Sequence, residues 1–150
     1  MMNNEISNPF PDNECFFCGC HNQYGLQLKF YWDEERQEVT TQYRPEEYLR
    51  GQGKILHGGI QSGILDEIMG WTSFLATNQM AVTTELKLSF LKPVLICGKA
   101  IQARCKTIRH EGNKVYLEAS LTNNDNIVCT TATGIYHVLS AEKYQRLIEG

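Results

Sequence analysis

The stretch GLQLKFYW (Gly25–Trp32) alternates apolar and polar side chains, the period of a half-buried strand. Asp33–Arg36 is a polar turn, and Glu38–Tyr43 alternates again more weakly, so the two runs predict a hairpin. Pro45–Leu56 reads as a connecting loop broken by Gly51 and Gly53. From about Gly58 to Ala76 the apolar period changes to that of a helix. Four further strands are predicted over Val82–Leu91, Lys99–Arg109, Lys114–Thr122 and Ile127–Leu139. Glu111–Asn113 and Asn123–Asn126 carry the Gly, Asn and Asp of hairpin turns. Ser140 is placed to cap a last helix, Ala141–Glu149.

The order is two strands, one long helix, four strands, which predicts an α+β layout with one antiparallel sheet. Residues 1–14 are polar, contain two prolines and read as irregular. No repeat or linker divides the rest, so 15–150 reads as a single domain. In the long helix, Ile60, Ile64, Ile68, Trp71 and Leu75 fall on one stripe, widened by Leu65, Met69 and Ala76. A helix apolar on more than one side must be covered by the sheet.

Two acids interrupt this helix. Asp66 falls opposite the oily stripe, among Ser62, Gly63, Gly70 and Ser73. That narrow face of small residues admits another backbone or a ligand. Glu67 falls at the stripe's edge and reads as a carboxylate bonded to nearby backbone or to an arginine. His57-Gly58-Gly59 begins the helix, where N–H groups lack intrahelical partners and carry the positive end of the dipole. Glycines there let an acceptor approach.

Composition narrows the partners. The 150 residues are 42% hydrophobic and 21% charged, with a net charge of −3. Nothing forces a basic surface, so nucleic acid is not expected as a partner. No apolar run spans a membrane or resembles a secretory leader, and six cysteines then read as reduced thiols in a cytoplasmic protein. Cys15, Cys18, Cys20 and His21 could suggest zinc, but four ligands so tightly packed could hardly close round one ion. They read as half-buried thiols, and neither a metal nor another cofactor is expected. Cys97, Cys105 and Cys129 lie in or near strands and read as packing residues.

Three stretches are similar to the hotdog-fold acyl-CoA thioesterases of the phenylacetate-degradation (PaaI) type. They are CFFCGCHNQYGLQLKF (Cys15–Phe30), HGGIQSGILDEIMGW (His57–Trp71) and TTELKLSFLKPV (Thr83–Val94). The resemblance implies a sheet of five to six strands wrapped around the central helix. It also implies a homodimer with joined sheets and, in members that pair again, a homotetramer. The implied reaction is hydrolysis of an acyl-CoA thioester to a free acid and CoA. Gly59 would offer its N–H as an oxyanion hole, and Asp66 of a second copy would act as general base or nucleophile. Thr83 would orient water, with Thr84 in reserve, because a one-residue slip swaps strand faces. His57 would hold the loop or the thioester region. Gly58, Gln52, Thr84 and Trp71 are the substrate-binding candidates. Many relatives carry an Asn where this chain has Gly51, and Gln52 is the neighbouring amide that could replace it. Arg50, Lys54, Arg109, His110 and Lys114 are the cations available to CoA phosphates. The alternative is a non-catalytic acyl-CoA-binding hotdog module, which would keep the glycines and not need Asp66.

Overall fold

The computed structural model describes residues 4–10 and 14–150. The strands are β1 (Asn4–Glu5), β2 (Tyr31–Asp33), β3 (Glu38–Tyr43), β4 (Ala81–Phe90), β5 (Ile101–Glu111), β6 (Lys114–Thr122) and β7 (Val128–Val138). They form one antiparallel sheet in the order β1-β2-β3-β5-β6-β7-β4. Helix α1 (Gly58–Thr77) packs on β3, β5, β6, β7 and β4, and a short helix α2 (Ala141–Glu149) follows the last strand. This is the hotdog arrangement, a sheet wrapped around a central helix.

Alternation explains the wrapping. In β6, Val115, Leu117, Ala119 and Leu121 point inward against Ile64, Leu65, Ile68 and Met69 of the core. Irregular register at Thr83/Glu85 in β4 and at Thr107/Arg109 in β5 bends the strands and increases their twist. Gly112 takes φ +58° in the two-residue β5–β6 turn, a conformation that suits glycine. Ser140 Oγ caps α2 by accepting from Lys143 N at 3.2 Å.

Three local expectations need correction. Only Tyr31 and Trp32 of the first alternating run are strand, and Asp33, expected in the turn, ends it. Upstream, Leu26 and Leu28 give their N–H groups to Phe16 O and Phe17 O, both at 2.9 Å, so this segment pairs with the cysteine-rich turn. The sheet has seven strands because Asn4–Glu5, expected to be irregular, pairs with β2; residues 1–3 and 11–13 of that segment lie outside the described residues. Leu75 leaves the stripe and is exposed, whereas Gln61 and Thr72, and Ser73 of the Asp66 face, are buried. The sheet wraps further around α1 than a single stripe requires.

β4 is the last strand of the sheet. Its outer edge runs for ten residues, with Thr83, Thr84, Glu85, Lys87, Ser89 and Phe90 exposed.

Candidate active site

Asp66 sits midway along α1, half-buried, where the helix passes beneath β4 and β7. Thr83 of β4 donates its hydroxyl to Asp66 Oδ1 at 2.7 Å. Tyr136 of β7 places its hydroxyl 2.5 Å from the same oxygen and 2.8 Å from the Asp66 carbonyl oxygen. Burial, reinforced by the Asp66 charge, pushes the Tyr136 phenol far above its usual range, so it stays protonated and donates. Oδ1 is held by two hydroxyls, while Oδ2 has no protein hydrogen bond among the described residues.

The bulge in β4 decides between the two threonines. Pairing with β7 runs through Thr83 and resumes at Glu85, leaving Thr84 unpaired. Thr84 turns its hydroxyl to Ile135 O at 2.8 Å. Thr83 therefore meets Asp66 and Thr84 does not.

Tyr136 was not legible as a site residue. Its signal is the inward phase of β7, together with a glycine two positions earlier. A Cβ on Gly134 would lie 2.8 Å from the Tyr136 ring and 2.7 Å from Met69 Sδ. The small-residue face of α1 is partly filled by rings of the same chain. A Cβ on Gly63 would lie 1.9 Å from Phe17 Cζ, and one on Gly70 would touch the Tyr136 ring at 4.0 Å.

At the head of α1, His57 is the N-cap, and its Nδ1 accepts from Gly59 N at 2.8 Å. The amide expected to face a carbonyl oxygen thus already has an acceptor. Gly58 lies against Phe90, whose ring would be 3.5 Å from a Cβ there. Gln61 anchors the first turn to the sheet: its Nε2 donates to Leu56 O at 2.9 Å, and its Oε1 accepts from buried Thr130 at 2.5 Å. Gly51 abuts His57, with room for a Cβ at 3.6 Å from His57 Cα. Gln52 is exposed in the same turn.

Trp71 is not brought to this group. It is 3% exposed, packed at 4.4 Å centroid separation on Phe30 and edge-on to Phe10. Its Nε1 donates to Glu67 Oε2 at 3.2 Å. Among the described residues Glu67 pairs with neither the backbone nor the arginine expected of it, but with Trp71 and with the Cys15 thiol, which lies 3.6 Å from Oε1. Burial pushes the Glu67 carboxyl up to about 7. The Cys15 thiol is drawn down to about 5 by its hydrogen bond with Cys18, helped by the N–H groups of Cys18 and Phe17, and Cys18 is raised in turn. Of the candidate phosphate-binding cations, Arg50 and Lys54 stand exposed in the loop before α1. Arg109 is taken up by Glu111 at 3.0 Å and by the Tyr116 ring. No helix among the described residues is long and apolar enough to cross a membrane.

Comparison with known proteins places the fold. A curated relative, the Bos taurus acyl-coenzyme A thioesterase THEM4, is 23% identical over 131 residues, covering 87% of this chain. The chain spans only about half of that relative's length (53%). The Escherichia coli PaaI protein of the phenylacetic acid degradation operon superposes with a TM-score of 0.69 at 15% identity, covering 77% of this chain and 81% of that one. The BH2602 protein of Bacillus halodurans, solved with CoA, superposes with a TM-score of 0.61 at 23% identity, covering 66% and 70%. The family model for the thioesterase superfamily matches residues 53–130, more than half of the sequence. That span contains His57, Gly59, Asp66 and Thr83 but neither Tyr136 nor the cysteine turn. The chain belongs to the thioesterase superfamily.

Proposed function

We propose that this protein hydrolyses acyl-CoA thioesters to a free acid and CoA, at a site that two copies share. The observation that carries the reading is the Asp66 carboxylate, fixed by Thr83 and Tyr136 beside the open β4 edge. Support for CoA chemistry comes from the THEM4 relative and from the neighbour solved with CoA.

One chain is not enough. Asp66 follows Gly59 by seven positions, which at 1.5 Å per residue sets them about 10 Å apart along the helix. A single carbonyl group cannot meet both. A second copy resolves this. Thr83, which holds Asp66, and Phe90, which touches Gly58, lie near opposite ends of β4. Antiparallel pairing of two β4 edges about Leu86 would bring one copy's Thr83 end against the other's Phe90 end. Asp66 of one chain then confronts the glycines of the other. The same pairing sets Glu85 against Lys87 and covers an edge that would otherwise recruit other strands.

In this site the thioester oxygen displaces His57 Nδ1 as acceptor for Gly59 N–H. Asp66 takes a proton from water, which attacks the carbonyl carbon, or Asp66 attacks directly and water resolves the anhydride. The C–S bond breaks and CoA leaves as thiolate, which needs little acid assistance. Arg50, Lys54 and Gln52 flank the mouth and are suited to the nucleotide end of CoA.

A second reading is a non-catalytic acyl-CoA-binding module. The amide already given to His57 favours it. A thiol-release assay over a panel of acyl-CoAs, with Asp66→Asn alongside, separates the two. Turnover lost by at least about 100-fold in Asp66→Asn supports hydrolysis. Flat traces from the unaltered protein on every substrate, with acyl-CoA still bound, would establish the binding module.

A further inference from the structure

Cys15 and Cys18 bracket a tight turn, closed by Gly19 N donating to Cys15 O at 2.8 Å. The turn is fastened on both sides. Leu26 and Leu28 hold the carbonyls of Phe16 and Phe17, and the Phe17 ring occupies the space left by Gly63 on α1. One helical turn beyond Gly63 stands Glu67. Both sulfurs and a Glu67 carboxylate oxygen lie within 4.8 Å of one another, with Cys15 Sγ at 3.6 Å from Oε1. The other oxygen is oriented by the Trp71 indole N–H. Among the described residues no lysine, arginine or histidine forms an ion pair with Glu67.

We propose that Cys15, Cys18 and Glu67 bind one divalent cation of the zinc class. Ligand edges of a tetrahedral zinc site with sulfur and carboxylate donors measure about 3.5–3.8 Å, so the group is already close to the required spacing. Two thiolates select a soft transition ion over magnesium or calcium. The indole-bound carboxylate supplies the outer hydrogen bond that fixes a ligand's orientation. Both thiols release their protons on binding. Cys20 and His21 are exposed and contribute no atom to the group. Cys15 is half-buried, so solvent reaches the group and water would supply a fourth ligand. The cation would pin the N-terminal turn to α1 at the residue next to Asp66.

The test uses the full chain, reduced and stripped with chelator, and titrated with Co²⁺. Three results are expected: one Co²⁺ per chain with sulfur-to-cobalt charge-transfer absorption, displacement by Zn²⁺, and a rise in the thermal midpoint on loading. Glu67→Gln keeps the shape and the Trp71 bond. It should weaken Co²⁺ by more than about tenfold, since even outer partners of a ligand are worth about 10–100-fold. Cys15→Ser and Cys18→Ser should each strip intensity from the sulfur band. The proposal is overturned by absence of that band with reduced thiols. Equal Co²⁺ affinity in the Glu67→Gln protein, or a Cys15–Cys18 disulfide persisting under the same reducing conditions, would overturn it too. None of these readouts depends on turnover.

Discussion

The Tyr136 hydroxyl lies 2.5 Å from Asp66 Oδ1, across 70 residues of sequence, and is buried where Thr83 reaches the same oxygen from the exposed side. This bond fixes which carboxylate oxygen faces outward. Tyr136→Phe keeps the ring and removes only the donor. A hydrogen bond to a charged group is worth about 1.5–3 kcal/mol, so kcat should fall roughly 10- to 100-fold. KM should hardly move, because the hydroxyl does not reach substrate. An unchanged kcat would show that Thr83 alone orients Asp66.

The two neighbouring threonines should separate cleanly. Thr83→Val removes the other donor to Oδ1 and should lower kcat by about tenfold or more. Thr84→Val loses the bond to Ile135 O and should cost about 1 kcal/mol of stability with kcat intact. Steady-state kinetics beside chemical denaturation of both variants checks this. The reverse pattern would mean that the β4 bulge is misplaced.

Gly63→Ala puts a methyl group 1.9 Å from Phe17 Cζ. The ring must move, and overpacking of this kind costs about 1–3 kcal/mol. Adding Phe17→Leu should recover part of that loss, because the two sites share one contact. Strict additivity in the double-mutant cycle would contradict the packing described.

Ser73 is fully buried, and its hydroxyl has no hydrogen-bond partner among the described residues. Ser73→Ala removes a desolvated group worth about 1–3 kcal/mol and installs a better helix former. The thermal midpoint should rise by about 2–4 °C for each kcal/mol gained. A lower midpoint would indicate a bond that the hydroxyl makes in solution.

Burial pushes the Cys105 thiol up to about 12 from an ordinary value of 9.0. Between those limits the unfolded chain loses this proton and the folded chain keeps it. The contribution is therefore whole below pH 9 and declines as pH rises toward 12. Tyr43, also pushed up to about 12, acts in the same direction above pH 10, so the comparison with a variant isolates Cys105. Denaturation midpoints at pH 8 and above should fall less steeply for Cys105→Ala than for the unaltered chain. Parallel slopes would remove Cys105 from the alkaline loss.

Periodicity carried the architecture well. The long helix, β3 and β6 lie where the alternation places them, since apolar phase reports burial directly. It misled at Gly25–Phe30, where Leu26, Leu28 and Phe30 are buried in alternation yet lie outside the sheet. A period of two tells that one face is covered and not what covers it. The helix-edge acid was misread for a related reason: nothing local to Glu67 shows that its partners are a thiol 52 residues earlier and an indole one turn later.

By itself, then, the sequence determined the order of the elements from Tyr31 onward, the long helix starting after His57 and the face on which Asp66 stands. These follow from helical and strand periods and from the glycines that open the helix, all properties of neighbouring residues. Only the tertiary structure decided that Tyr136 and Thr83 share one oxygen of Asp66, that Thr84 turns away, and that Glu67 completes a group with Cys15 and Cys18. Those meetings are set by strand register, by a one-residue bulge and by the packing of one ring on Gly63, and none of these leaves a local mark in the chain.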